Sequence, residues 1–587
     1  MIRPLFRQLP KRALALAFSI IGAPLVTTAA AQEARHSEAS TRHNHHAHPA
    51  PASGVTLLQG LGNWHHGVTT RTPRAQDFFD QGLRLTYGFN HDEAERSFAE
   101  AARLDSTCAM CWWGVAYAVG PNINLPMTPD GERRALAAIR EAQRRAGRAS
   151  PRERAYIDAM ARRFAEPVGE DRAARDSAYA AAMADVARQY PSDLDAQVLY
   201  ADALLNLRPW NQWTRDGQPQ PGTLEVVATL ERVIASAPDH AGACHFYVHT
   251  VEASSTPERA LPCAERLPKL MPGAGHVVHM PAHVYFRVGR YADAARANVE
   301  AVAADRKYLA KASLPSGIYR QFYAPHNTHF LWATHLLAGQ RALALEAAQA
   351  LERSVSIPDA RANASLEAFV TAAVLTRARF GDWNAVLATA APPNDLRYAT
   401  GMWHYARGIA FAAMGDVAAA SIELDSVRAV AASVPASTII ILNPAPAVLE
   451  LASDVLAGAV ALRTGDRAEA LRRFDSAVRR EDALTYDEPP PWYHSTRHML
   501  GTIHLALGDA VSAESVFRDD LKTYRENGWS LAGLEQALRA QGRHDEATAV
   551  AARLARAWRD ADVAANWGQS RSPSFERGSR SNDGERL

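Results

Sequence analysis

Apolar residues recur at helical spacing from about Gln76 to Arg559, and Gly, Pro or Asp residues interrupt the pattern at short intervals. Hydrophobic residues make up 47% of the 587 positions, so the chain can bury a large core. The abundant alanines favour helix over strand. The pattern predicts an all-α protein made of many short helices.

A repeated unit is visible within this helical pattern. In each copy a small residue opens the second helix of a pair and a larger apolar residue follows one turn later. A second small residue lies twelve positions upstream, where the two helices of the pair must cross closely. Three copies show these positions: Gly82, Ala94 and Phe98; Gly458, Ala470 and Phe474; Gly501, Ala513 and Phe517.

This arrangement resembles the tetratricopeptide repeat of 34 residues, as found in exported bacterial proteins. The resemblance covers most of residues 76–560, and residues 208–222 interrupt one unit as an insertion. It implies antiparallel helix pairs stacked into an α-α superhelical solenoid, with a protein or peptide partner in the concave groove. An irregular helical bundle is the alternative.

The ends of the chain differ in composition from this array. A basic start, an apolar stretch from Ala13 to about Val26 and the small residues before Gln32 predict a signal peptide over 1–31. Residues 32–75 form a histidine-rich linker and entry segment, 76–560 the solenoid, and 561–587 a disordered polar tail. We therefore expect an exported protein, periplasmic or secreted, without a transmembrane segment after cleavage.

Charge and cysteine content narrow the function classes. Lys and Arg total 64 against 63 Asp and Glu, which argues against a nucleic-acid binder. The four cysteines are Cys108, Cys111, Cys244 and Cys263, an even number that permits two disulfides in an exported protein. Cys108 and Cys111 could instead hold a metal, but no second pair with zinc-site spacing exists.

Histidines concentrate on one stripe of the first helices when the units are set in repeat register. Repeat positions 2, 5, 9 and 12 lie on one helix face, roughly 130° from the packing positions 4, 8 and 11. Of the 22 histidines, eight occupy this histidine stripe: His245, His249, His276, His279, His283, His326, His329 and His498. The resemblance implies that the stripe lines the concave groove.

Such a cluster of imidazoles is typical of a metal site. His245 and His249 form an i, i+4 pair, as do His279 and His283, and facing helices can complete the ligand set. Glu252 could ligate, orient a ligand histidine or act as a base. All-imidazole ligation favours copper or zinc. The alternative is a set of hydrogen-bonding histidines without a ligand.

Other residues near the stripe are candidates for a supporting role. Asn122 and Asn124 lie in a proline-bounded loop, and Tyr285 and Arg287 could recognise an anionic or aromatic ligand. No phosphate-binding loop or dinucleotide fingerprint is present, so we expect no nucleotide cofactor.

Two function classes follow from these features. The first is a binding protein whose groove holds a transition metal, a protein or peptide partner, or both. The second is a metal-dependent enzyme that uses the same histidines for oxidative or hydrolytic chemistry. The sequence does not decide whether a reaction is catalysed.

Overall fold

The computed structural model describes residues 54–312 and 317–563. The predicted signal peptide, the histidine-rich tract and most of the predicted polar tail lie outside these residues. The described chain is all-α apart from one short antiparallel pair, β1 (Ile439–Ile440) with β2 (Asn443–Pro444).

The α-helices divide into two groups along the chain. The first group comprises α1 (Pro73–Tyr87), α2 (His91–Leu104), α3 (Ala109–Ala118), α4 (Pro129–Arg145), α5 (Pro151–Met160), α6 (Arg172–Gln189), α7 (Leu194–Leu205), α8 (Thr223–Ser236), α9 (Ala241–Val251), α10 (Leu261–Leu270), α11 (Gly275–His279), α12 (Pro281–Arg287) and α13 (Tyr291–Leu309). The second group comprises α14 (Ala324–Leu337), α15 (Arg341–Ser354), α16 (Ile357–Ala362), α17 (Glu367–Val370), α18 (Ala372–Arg379), α19 (Trp383–Leu387), α20 (Arg397–Met414), α21 (Val417–Ser433), α22 (Ala445–Thr464), α23 (Arg467–Asp482), α24 (Arg497–Ala506), α25 (Ala510–Thr523), α26 (Gly528–Ala540) and α27 (His544–Ala557).

Consecutive helices pack as antiparallel pairs, and the repeat register explains their close crossings. A Cβ atom added to Gly82 would lie 2.8 Å from the Phe98 ring. A Cβ on Gly458 would meet Phe474 at 2.6 Å. These small residues admit the aromatic ring of the second helix, so the pairing predicted from the sequence is confirmed. The fold is a tetratricopeptide-like helical solenoid.

The solenoid curves so strongly that its last pairs contact its middle pairs. Trp529 Nε1 donates to the Leu336 carbonyl at 2.9 Å, and Tyr291 Oη donates to the Arg525 carbonyl at 2.9 Å. Arg525 also forms an ion pair with Glu258. These contacts partly close the concave side of the superhelix, which the sequence alone left open.

Helix α22 is long and apolar enough to cross a membrane, with a mean hydropathy of 1.6. From the sequence, no membrane-spanning run was expected after the first 31 residues. However, 61% of the apolar window is buried inside the protein, between α21 and α23. Burial on most sides explains its composition as that of a core helix.

Candidate metal centre

Six of the eight stripe histidines converge at one place in the structure. They lie on four helices, α9, α11, α12 and α14. They form two groups, and in each group the candidate ligand nitrogens all lie within 4.8 Å of one another. Site A consists of His245, His249 and His276, and site B consists of His279, His283 and His326.

The two sites are buried rather than exposed on an open groove. His245 and His279 are fully buried, and His326 alone among the six is half-buried. Burial lowers the pKa of His245 and of His279 well below the usual value, and the neighbouring imidazoles lower it further. Both rings are neutral and available as ligands.

Glu252 connects the two sites. Its Oε1 lies 3.0 Å from His249 Nδ1 of site A, and its Oε2 lies 2.5 Å from His283 Nδ1 of site B. Burial raises the pKa of the Glu252 carboxyl, but His283 and His249 outweigh this effect and lower the pKa to about 2. The carboxylate can only accept hydrogen bonds, so both Nδ1 atoms donate, and in the neutral form of each ring Nε2 carries the lone pair.

Two further contacts fix the orientation of imidazoles in the same way. His245 Nδ1 lies 2.6 Å from the Tyr87 carbonyl oxygen, which can only accept. His279 Nδ1 lies 2.6 Å from Asn298 Oδ1, whose amide is oriented by its donation to the Ala294 carbonyl. In each case Nδ1 donates and Nε2 points its lone pair into the site.

Within the described part of the chain, the ligand nitrogens of site A have no hydrogen-bond partner, and those of site B have few. Among the described residues, no partner reaches His245 Nε2, His249 Nε2 or either ring nitrogen of His276. In site B, His279 Nε2 and His283 Nε2 face each other at 2.7 Å, although the Nδ1 contacts assign a lone pair to both. Buried acceptors without a donor cost about 1–3 kcal/mol each. A cation between these nitrogens would remove that cost.

Each site is covered by one phenylalanine ring. Phe89 lies 4.5 Å from His245 and stacks on His249 and His276 at 5.7 and 5.5 Å, measured between ring centroids. Its backbone has a φ of 55°, in the left-handed region that bulky residues rarely adopt. Phe330 packs on site B, 4.8 Å from His283. Strained backbone of this kind is concentrated at functional sites.

The loop residue Asn124 supports the cover of site A. Its side chain donates to Tyr323 Oη at 3.0 Å and accepts from Trp210 Nε1 at 3.1 Å. The Tyr323 ring lies 5.1 Å from His276, and the Trp210 ring lies 5.3 Å from His249. Asn122 Oδ1 in turn accepts from the Asn124 backbone N–H. Both predicted asparagines therefore support residues that pack on the imidazoles and do not contact the imidazoles themselves. Trp210 belongs to the insertion predicted from the sequence.

A buried acidic segment lies beside site B and was not identified from the sequence. Burial raises the pKa of Glu488 to about 7, a shift that Arg287 opposes and the charge of Glu252 reinforces. Tyr486 Oη donates to Glu488 Oε1 at 2.6 Å, and the Arg287 guanidinium lies over the Tyr486 ring. The segment comes from the loop between α23 and α24, so nothing in its local sequence indicates proximity to the histidines.

Three predicted site residues lie outside both sites. His329, about one turn beyond His326 on α14, packs between Trp332 and Phe369 instead. Both nitrogens of His498 are already engaged: Nδ1 accepts from Arg379 at 3.1 Å, and Nε2 lies 3.1 Å from Asp520 Oδ2.

Tyr285 packs under the Arg290 guanidinium, whereas Arg287 lies over the Tyr486 ring. The assignment of His329 and His498 as ligands in the cluster, and of Tyr285 as a supporting residue, is therefore corrected.

The four cysteines form two disulfides, Cys108–Cys111 and Cys244–Cys263. The second disulfide joins α9 to α10 and fixes the helix that carries His245 and His249. Cys108 and Cys111 are not metal ligands in this arrangement.

One other group of potential ligands, His66, Asp193 and Asp195, lies apart from these sites. A further combination, His249, Glu252 and His283, overlaps sites A and B. Its Nδ1 and carboxylate atoms lie at hydrogen-bond distance, so it represents the bridge described above.

No protein-family model matches the chain, and the curated proteins give no match. Solved structures match over most of its length. The human IFIT1 dimer with m7Gppp-AAAA is 12% identical with a TM-score of 0.32, covering 84% of this chain and 92% of that one. The APC/C hetero-tetramer Cut9–Hcn1 is 13% identical with a TM-score of 0.29, covering 84% and 76%.

Yeast Tom70 is 10% identical with a TM-score of 0.27, covering 82% of this chain and 90% of that one. At these TM-scores the similarities carry no inference about a ligand, a partner or a reaction. The functional argument therefore depends on the geometry of the site.

Proposed function

We propose that this protein binds two transition-metal ions, copper or zinc, one at site A and one at site B. The observation that carries the proposal is the convergence of buried imidazole nitrogens, which have no partner among the described residues at site A and face each other at 2.7 Å at site B. Neutral imidazoles suit both metals, and three of them leave a coordination position open on each ion. The carboxylate–histidine contacts of Glu252 are the outer contacts that such ligands usually have.

A small adjustment would convert the observed geometry into a metal site. Two nitrogens that bind one ion at about 2.0 Å in tetrahedral geometry are separated by roughly 3.3 Å. His279 Nε2 and His283 Nε2 are 2.7 Å apart, so one ring must move by about half an ångström. Pro281 lies between His279 and His283 and begins the helix that carries His283. Because proline has no backbone N–H, a small shift at this position breaks no hydrogen bond donated by Pro281.

Export and a protein partner remain parts of the proposal. Two disulfides support an oxidising compartment, which agrees with the predicted signal peptide. A protein or peptide partner would contact surfaces other than the buried histidines, because the superhelix covers them.

Metal analysis of the purified full chain tests the proposed function. His36, His43, His45, His46 and His48 are first replaced by alanine, because this tract could bind metal by itself. We expect two equivalents of copper or zinc after loading and desalting. Replacing His245, His249, His279 and His283 by alanine should abolish uptake while helicity is retained, and His498→Gln should leave uptake unchanged. Uptake of no metal by the parent protein would refute the proposal.

A further inference from the structure

We infer that sites A and B together hold a pair of copper(I) ions that binds dioxygen between them as a bridging peroxide. This inference rests on the proposed function and specifies its metal and its small-molecule ligand. It follows from three features of the described residues: the separation of the sites, their charge and the apolar rings that cover them.

The two sites face each other across one shared space. Ring centroids of different sites are 5.2 Å apart for His249 and His283, and 5.7 Å apart for His276 and His279. His276 and His326 are 6.4 Å apart. Ions bound between these rings would be close enough to share one small ligand, as in two-metal sites with ions about 3.5–4 Å apart. Glu252 holds one imidazole of each site, so the two ligand sets are positioned together.

The charge of the site favours copper(I) over a pair of divalent ions. Six imidazoles bind a metal as neutral ligands, and Glu252, which contacts two of them, supplies one negative charge. The nearby Arg287 adds the same positive charge whichever metal is bound, so it is left out of the comparison. Two copper(I) ions would leave one net positive charge, whereas two zinc(II) ions would leave three. Because a charge buried in a low-dielectric interior is costly, the monovalent pair is favoured.

Dioxygen binding keeps this charge constant. Each copper(I) gives one electron to the oxygen molecule, so both ions become copper(II) and the oxygen becomes a peroxide dianion. Two copper–oxygen bonds form, the oxygen–oxygen bond is weakened but kept, and no proton is taken up. The four positive charges of the metal pair, the two negative charges of peroxide and the Glu252 carboxylate again sum to one positive charge.

The surroundings admit a small apolar molecule more readily than a large polar one. Phe89 and Phe330 cover the two sites, and His326 is the one half-buried imidazole. Dioxygen needs no polar partner to pass the two phenylalanine rings.

Oxygen uptake by the copper(I)-loaded protein tests the inference. The full chain with the five tract histidines replaced by alanine is loaded with copper(I) without oxygen, and its copper content is measured. It is then exposed to oxygen in an oxygen electrode, and copper(II) is recorded by electron paramagnetic resonance. We expect one oxygen molecule taken up per two copper ions, no paramagnetic signal because the bridged ions are coupled, and release of peroxide on acidification.

A matched pair of variants distinguishes a bridged pair from two separate ions. His326→Ala should retain one copper ion at site A and lose the stoichiometric, signal-free uptake. His498→Gln should behave like the parent protein.

Failure to bind two metal ions of either kind would refute the proposed function itself. Binding of two copper ions, followed by no oxygen uptake or by the signal of isolated copper(II), would overturn this inference and leave the proposed function standing. Binding of zinc alone would have the same consequence.

Discussion

Two clusters of buried histidines lie on opposite sides of Tyr87, and they differ in how their hydrogen bonds are satisfied. The Tyr87 hydroxyl donates to Asp195 Oδ1 at 2.6 Å, whereas its carbonyl accepts from His245 of site A. Asp195 also accepts from Trp64 Nε1 and pairs with His66 and His240. We call Asp195 with these four neighbours the Asp195 cluster.

His240 Nε2 lies 3.3 Å from Asp195 Oδ1, outside hydrogen-bond geometry, but it is the protonated nitrogen of the neutral ring because His240 Nδ1 accepts from the Ala243 N–H. The Asp195 cluster therefore presents donors to Asp195. Its carboxylate is surrounded by donors, and it holds the extended segment that precedes α1 against the helices. In sites A and B the same residue type presents acceptors to one another. The difference shows that histidine density alone does not identify a metal site; the unsatisfied lone pairs do.

The largest expected effect comes from removing one ligand from one site. His245→Ala should reduce the bound metal from two equivalents to one, with the remaining ion at site B. His326→Ala should reduce it equally, with the remaining ion at site A. Metal analysis combined with X-ray absorption would count the imidazoles on the remaining ion. Loss of both ions in either variant would show that the sites do not bind independently.

Removing the charge of the Asp195 cluster should affect stability and leave metal content unchanged. Asp195→Asn leaves His66 and His240 without a buried carboxylate partner, a loss of about 3–5 kcal/mol in the free energy of unfolding. Urea unfolding measures this change, and metal analysis of the folded variant should still give two equivalents. A fall in metal content at retained fold would contradict the division into a structural and a metal-binding cluster.

Removing the bridge between the sites should weaken both of them. In Glu252→Gln, one of the two carboxylate oxygens that accept from His249 and His283 becomes an amide nitrogen, which can only donate. Hydrogen bonds of this kind to ligand histidines contribute about 10–100-fold to metal affinity. Competition with a chelator measures the affinity of each ion. Asn298→Ala is the matched control, because Asn298 holds His279 alone and the variant should weaken only site B. Equal weakening of both sites by Asn298→Ala would contradict this assignment.

The smallest effect concerns the pH dependence of the Asp195 cluster. Burial lowers the pKa of His66, but the hydrogen bond and charge of Asp195 outweigh it, so the pKa is raised above 6.5. The stabilisation is therefore complete below pH 6.5 and declines as the pH rises through the raised pKa. Thermal unfolding of the metal-free protein should show this decline, and His66→Gln should abolish it. An unchanged pH profile in the variant would refute the pairing.

The repeat register predicted the helix pairs and much of the site. Gly82 and Phe98 pack as their spacing indicates, and the periodicity placed six of eight stripe histidines together. Glu252 was predicted to ligate, to orient a ligand histidine or to act as a base, and in the structure it contacts Nδ1 of His249 and of His283. Helical periodicity is local information, so it is readable without knowledge of the whole fold.

The remaining features depend on contacts between distant segments. The covering of the sites follows from small rotations summed over many helix pairs, which no single repeat encodes. Phe89 and Glu488 reach the histidines from loops whose local sequence carries no periodic signal. His498 shares the repeat position of His245 but lies where Arg379 and Asp520 already satisfy it. The repeat register therefore predicts the helix face on which a residue lies, but not the residues that it contacts there.

Anomalous diffraction at the copper edge, from crystals of the copper-loaded protein, tests the central claim most directly. We predict two peaks, one within about 2.0 Å of three imidazole nitrogens at site A and one in the same position at site B. Glu252 should remain hydrogen-bonded to His249 and His283 and should not bind either ion. No peak at these imidazoles, or one ion held by Glu252 Oε1 and Oε2, would contradict the account.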